Sequence, residues 1–169
     1  SDIVGVTFKE NYQPVLYLTT DEIIKAKKYL YTQGVQKTTT LISVNTSAGK
    51  RGQMKRLSEE KTIELLERLI EKGYTPMLAG GWEEADRNAR IIAKFHNKSI
   101  IDIGCRNNTR EFSALINECK AIITADTLAM HIAIALNIYT VAFFGPTPSQ
   151  EIYFYNNGRA VTATLECLS

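Results

Sequence analysis

Histidine and cysteine are scarce in this chain of 169 residues, and the scarcity excludes several chemistries. With only His96 and His131, no Ser-His-Asp or Cys-His nucleophilic arrangement can be argued. The three cysteines, Cys105, Cys119 and Cys167, are odd in number and lack paired spacing. Each reads as a lone reduced thiol, which implies a reducing compartment. No zinc spacing, no Asp-x-Asp pair and no His/Cys/Asp cluster is visible, so a metal-dependent mechanism has no support in the sequence. No apolar run approaches the ~20 residues of a membrane span. The N-terminus, Ser1-Asp2-Ile3-Val4, has neither the charged nor the apolar region of a signal peptide, nor an initiator Met. A surplus of charge is missing too. Twenty basic and eighteen acidic residues give a net charge of +2, too balanced for a nucleic-acid or membrane-surface protein.

What is present is an ordinary globular composition. Hydrophobic residues at 44% and charged residues at 22% argue against disorder. The length suits one domain with a real core. Residues 1–14 show no clear period and read as a linker or N-terminal extension, leaving 15–169 as the domain. Val15-Leu16-Tyr17-Leu18 is a short apolar run that takes the place of a first strand. Thr19 and Glu22 form a capping box, Ile23, Ala26 and Leu30 recur at helical spacing, and Gly34 supplies a stop. Thr39 to Asn45 reads as the next strand. Ser58 caps a helix with Glu59 and Glu60 in its first turn and a buried stripe of Ile63, Leu66, Leu69 and Ile70, ended by Gly73.

The pattern then repeats. Thr75 to Ala79 is a strand, and a helix from about Glu84 to His96 has Ala85, Ala89, Ile92 and Ala93 inward. Ser99 to Ile103 is a strand. Asn108 and Glu111 make a second capping box before Phe112, Leu115, Ile116 and Cys119. Ala121 to Ala125 is an apolar strand leading into a helix to about Asn137. Tyr139 to Phe144 is another strand, and Ala160 to Thr164 a last one. Such alternation with short loops predicts an α/β fold: a Rossmann-like, doubly wound parallel sheet of about six strands.

Three loops at strand ends could carry chemistry. The first runs from Thr46 to Arg56. Thr46, Ser47, Gly49 and Gly52 offer hydroxyls and close backbone approach, and Lys50, Arg51, Lys55 and Arg56 supply four cations. It reads equally as a phosphate site or as a solvated basic loop. It is not a Walker loop, and no GxGxxG follows a strand, so a dinucleotide oxidoreductase is unsupported. The second is Gly80-Gly81-Trp82-Glu83-Glu84. Its glycines would admit a ligand to the backbone and a carboxylate could accept from ribose hydroxyls; a plain turn into an acidic helix start explains it as well. The third is Asp126-Thr127-Leu128-Ala129-Met130-His131. A helix N-terminus there suits a diphosphate, and Asp126 would either cap the helix or bond a hydroxyl. His131, on an otherwise apolar helix, reads as a core residue or a site support.

The order of these loops resembles the C-terminal half of the lipopolysaccharide heptosyltransferases, glycosyltransferase family 9. The resemblance rests on Lys55-Arg56 before a capped helix, Gly80-Gly81 with Glu83, and Ala125-Asp126-Thr127 followed by Met130-His131-Ile132-Ala133, Ala135-Leu136 and Phe143-Phe144-Gly145-Pro146-Thr147. It covers about residues 40–150. It implies one half of a GT-B fold, binding ADP-heptose or a related ADP-sugar as substrate, with no cofactor and no metal. It implies Thr46 and Ser47 near the phosphates, Lys55 neutralising the diphosphate, and Glu83 at the adenosine ribose or its neighbour. It further implies Asp126 on sugar hydroxyls, Thr127 and Leu128 giving N–H groups to the diphosphate, and His131 supporting the helix start. The sequence departs from the family pattern at Leu128 (usually Gly), Leu57-Ser58 (usually Trp-Pro) and Pro148-Ser149 (usually Asp-Pro).

Family members are about twice this length, so the chain is expected to be the donor-binding half of a longer enzyme. The catalytic base and the lipopolysaccharide core acceptor would then belong to an N-terminal domain. A cytoplasmic enzyme, peripheral at the inner face of the cytoplasmic membrane, is implied. The competing readings are a flavodoxin-like receiver, for which Asp21, Glu22 and Asp102 are the available acids, and a nucleotide-sugar epimerase of GT-B shape.

Overall fold

The computed structural model describes residues 12–48, 55–95, 100–145 and 148–162. Among them are six strands: β1 (Leu41–Asn45), β2 (Thr75–Ala79), β3 (Ile101–Asp102), β4 (Ala121–Ala125), β5 (Tyr139–Phe144) and β6 (Gly158–Thr162). Five α-helices accompany them: α1 (Thr20–Thr32), α2 (Glu59–Glu71), α3 (Ala85–Ile92), α4 (Thr109–Asn117) and α5 (Leu128–Ala135). All the strand pairs are parallel, in the order β3-β2-β1-β4-β5-β6. That is the dinucleotide-binding order of the doubly wound sheet. A flavodoxin-like receiver would run 2-1-3-4-5, so the order removes that alternative.

Local chemistry explains where the helices begin. Thr19 and Glu22 cap α1 reciprocally, with the Glu22 carboxylate accepting from the Thr19 N–H at 2.7 Å. Ser58 accepts from the Lys61 N–H to start α2, and Asn108 accepts from the Arg110 and Glu111 N–H groups to start α4. Each side chain satisfies donors that the first turn leaves open.

Two apolar layers bury the sheet. On one face α1, α4 and α5 pack Ala26, Leu30, Leu115, Ile116 and Ala133 against Leu41, Met77 and Ile122. On the other face α2 and α3 pack Leu66 and Ile91 against Val44, Leu78 and Ile100. The chain leaves β1 toward the second layer and β4 toward the first. The carboxyl ends of β1 and β4 therefore lie side by side at the point where the winding reverses, which is where open α/β sheets bind ligands.

Three sequence expectations change. Val15 to Leu18 joins no strand; this extended segment crosses the end of α5, the Leu16 N–H donating to the Ala135 carbonyl at 3.0 Å. The helix after β2 is shorter than expected and is entered through a 3-10 turn, Trp82–Glu84. That helix also faces differently: Arg87, Asn88 and Ile91 are buried, while Ala85, Ala89 and Ala93 are exposed. His96, Ser99, Gly49 to Met54, Pro146, Thr147, Ala163, Thr164 and Cys167 lie outside the described residues.

Candidate functional site

A cavity of about 440 Å³ opens at the switch point. Asn45, Ser47 and Ala48 line it from the end of β1, Gly80, Gly81 and Trp82 from the end of β2, and Asp126, Thr127 and Leu128 from the end of β4. Cys105, Asn107, Thr109 and Phe112 close it from the loop and helix after β3. A second cavity of about 380 Å³ lies between α1 and α4, but its main charges are spent on each other: Arg110 pairs with Glu22 there at 2.6 Å.

The floor of the switch-point cavity is a polar knot. Asn45 is nearly fully buried, and its amide donates to the Thr124 hydroxyl at 3.0 Å and to the Thr127 hydroxyl at 3.3 Å. The two hydroxyls lie 3.2 Å apart. Thr127 occupies the N-cap position of α5, yet its side chain makes no cap bond, because its hydroxyl turns into this knot. Asp126, one residue earlier, is not the N-cap of α5. Its carboxylate instead accepts from Lys55 Nζ at 3.0 Å, with the two side chains 20% and 23% exposed. A cation is thereby held at the mouth, two residues from the start of a helix whose dipole is positive at that end.

The chemistry of the wall is also decided by internal bonds. Glu84, buried, accepts from the Gly81 N–H at 3.0 Å. A Cβ at Gly80 would stand 2.9 Å from Asn88 Nδ2, 3.0 Å from Thr46 Oγ1 and 3.1 Å from Glu84 Cβ. Glycine is required there by the protein's own packing, before any ligand approaches. Burial pushes the Cys105 thiol above its ordinary pKa, with Asp102 and Glu84 acting in the same direction, so it faces the cavity as a thiol.

Comparison with known proteins supplies the family. The model of glycosyltransferase family 9 (heptosyltransferase) matches residues 8–168. The chain belongs to this family. It is 35% identical over 101 residues to lipopolysaccharide heptosyltransferase 2 of Escherichia coli, covering 57% of this chain and 28% of that protein. In fold it superposes on a family 9 glycosyl transferase of Veillonella parvula with a TM-score of 0.82 at 20% identity, covering 95% of this chain and 45% of the other. It superposes on the E. coli ADP-heptose heptosyltransferase II with a TM-score of 0.77 at 24% identity, covering 92% and 47%. The chain thus spans less than half the length of each of these proteins, and its fold is the Rossmann-like half of a GT-B architecture.

The switch-point cavity brings together only part of the set expected from the sequence. Ser47, Asp126, Thr127 and Leu128 line the cavity, and Lys55 reaches it through Asp126. Leu128, 63% exposed, and Trp82, 70% exposed, stand at the mouth as its large apolar groups. Thr46 is turned away: its hydroxyl donates to the Asn88 side-chain oxygen at 2.7 Å, and it is not among the lining residues. Glu83 is exposed and outside the lining; its neighbour Glu84 is also outside the lining, buried behind it and accepting from the Gly81 N–H. His131 is exposed on α5 and also outside the lining, so it is not a core histidine. Asn45, Cys105 and Asn107 were not anticipated. For Asn45 the signal was available: side chains alternate along a strand, so Asn45 and Ser47 share one side and Thr46 takes the other.

Proposed function

We propose that this chain holds the nucleotide-sugar donor of a heptosyltransferase. The whole enzyme moves a heptose or related sugar from ADP-heptose to lipopolysaccharide core. The observation that carries this reading is the Lys55–Asp126 pair at 3.0 Å, at the mouth of the switch-point cavity and beside the start of α5. A diphosphate needs fixed positive charge, and an ammonium and a helix N-terminus supply it together. Family membership supports a heptose-bearing donor.

In the proposed reaction the acceptor hydroxyl attacks the anomeric carbon from the face opposite the nucleotide. The bond from that carbon to the diphosphate oxygen breaks, and its electron pair leaves with ADP. The hydroxyl proton passes to a base on an N-terminal acceptor domain, and the anomeric configuration inverts. Lys55 moves from Asp126 to the departing diphosphate, which it stabilises most when the negative charge is fully developed. Asp126, released, accepts from sugar hydroxyls. Ser47 and the backbone at Thr127 and Leu128 complete the phosphate contacts. No metal and no cofactor takes part in this scheme. The enzyme works in the cytoplasm at the inner membrane face; no helix among the described residues is long and apolar enough to cross a membrane.

Titration calorimetry with ADP, UDP, GDP and CMP tests the reading. The expected result is binding of ADP in preference to the others. A folded sample that takes up no ADP at millimolar concentration would sink it.

A further inference from the structure

The chain buries an arginine where no hydrogen-bonded acid explains it. Arg87 lies on the inward face of α3 and is 6% exposed. Its Nη2 donates to the Leu57 carbonyl at 2.7 Å and to the Thr62 hydroxyl at 3.0 Å. Its Nη1 is buried and has no hydrogen-bond partner among the described residues. Burial pushes the guanidinium pKa down and neighbouring Arg56 adds to this, while Glu59 and Glu84 oppose it only through their fields. Taking a charge out of water without a bonded counter-ion costs stability, so the fold alone gives no reason to keep a guanidinium here.

What Arg87 holds gives the reason. Leu57 is two residues from Lys55, in the turn that enters α2. Thr62 donates onward to the Ser58 carbonyl at 2.7 Å, and Ser58 caps α2. One guanidinium therefore ties α3 to the end of the turn that carries Lys55 and to the first turn of the helix that follows. Arg90 and Glu59 pair across the same two helices on the outside. Lys55 must reach across to the end of β4 to meet Asp126, so the placement of this turn decides where its ammonium stands. Arg87 itself does not line the cavity.

We infer that Arg87 is a positioning residue that sets Lys55 over the donor diphosphate without touching the donor. The inference rests on the nucleotide-sugar reading of the site, and its test separates the two. Arg87→Met keeps the bulk and removes the charge and its donors. It is expected to leave thermal stability unchanged or raised, because an isosteric apolar group replaces an uncompensated buried charge. It is expected to weaken ADP binding roughly tenfold, and to do so no longer when Lys55 is already Gln. Arg87→Lys, which retains a donor for Leu57, should fall between the two. An Arg87→Met variant with wild-type ADP affinity overturns the inference, as does an equal loss in both Lys55 backgrounds.

Amide hydrogen exchange over Lys55 to Lys61 in the nucleotide-free chain gives the independent arm. Faster exchange in Arg87→Met, confined to that segment, supports the inference; an unchanged rate overturns it. If the wild-type chain binds no ADP, the donor reading fails, and exchange alone decides whether Arg87 positions the turn.

Discussion

Asp126 sits where a diphosphate is proposed to lie, and a carboxylate there would repel it unless something intervenes. Lys55 intervenes, at 3.0 Å. The pairing predicts opposite effects for two ligands. Asp126→Asn frees Lys55 and removes a negative charge, so binding of ADP alone should hold or tighten. Binding of an ADP-sugar should weaken by about 1–2 kcal/mol, because a charged acceptor for the sugar hydroxyls is gone. Lys55→Ala should weaken both ligands. Calorimetry with each ligand on each variant reads this; an Asp126→Asn variant that loses ADP and ADP-sugar equally would assign the carboxylate to structure. At this scale the sequence was legible where the signal is local. Asp126, Thr127 and Leu128 mark a strand end followed by a helix start, and all three line the cavity. Thr46 and Glu83 do not line this cavity, whereas Asn45 and Ser47, on either side of Thr46, do. Cys105 and Asn107 carried no local signal. They reach the cavity only because β3, three strands away from β4 in the sheet, sends its following loop over the switch point.

Among the elements, the caps were the most legible feature and the face of α3 the least. A capping box is written within four residues, and Thr19–Glu22 and Asn108–Glu111 both form as read. The face of α3 depends on what polar side chains meet. Arg87 and Asn88 look like surface residues, yet each finds internal partners, and the alanines beside them are left to solvent. The strand-to-helix turn before α3 is equally exacting. Gly80→Ala places a methyl within about 3 Å of Asn88, Thr46 and Glu84, and should destabilise by about 1–3 kcal/mol. Urea unfolding measures that; a loss near zero would mean that the turn can shift. Between α1 and α4 an ionic link adds to the apolar packing. Arg110 donates to both Glu22 carboxylate oxygens and to the Tyr17 carbonyl. Arg110, with the Thr19 N–H, holds the Glu22 carboxyl down from 4.5 to about 2. A lowered pKa in the folded state contributes stability above the unfolded value and loses it as pH falls through the folded one. The stability difference between wild type and Arg110→Met should thus be full above about pH 4.5 and shrink toward pH 2. Thermal melts across that range check it, and a difference independent of pH would overturn it.

The whole molecule was half legible. Alternation of strand and helix announces a doubly wound sheet, because each parallel crossover needs a helix and a fixed hand. Strand order is a different matter: that β1 neighbours β4 comes from tertiary packing, and no residue of either strand declares its partner. Yet that adjacency places the site, since it sets Asn45 against Thr124 and Thr127 and brings the start of α5 beside Lys55. Because residues at the ends of β1, β2 and β4 and in the loop after β3 all meet at one cavity, a ligand bound there is coupled to the folding of the elements that line it. Binding to the folded state alone stabilises it by mass action. ADP at about a hundred times its dissociation constant should add about 2.7 kcal/mol, which for a domain of this size raises the melting temperature by roughly 5–10 °C. The shift should grow with the logarithm of ADP concentration, and a Lys55→Ala chain at the same ADP concentration should show much less of it. Scanning fluorimetry across an ADP series makes the measurement. A melting temperature that ignores ADP while calorimetry still records binding would place the nucleotide on a surface outside the cooperative sheet, away from the β1–β4 junction.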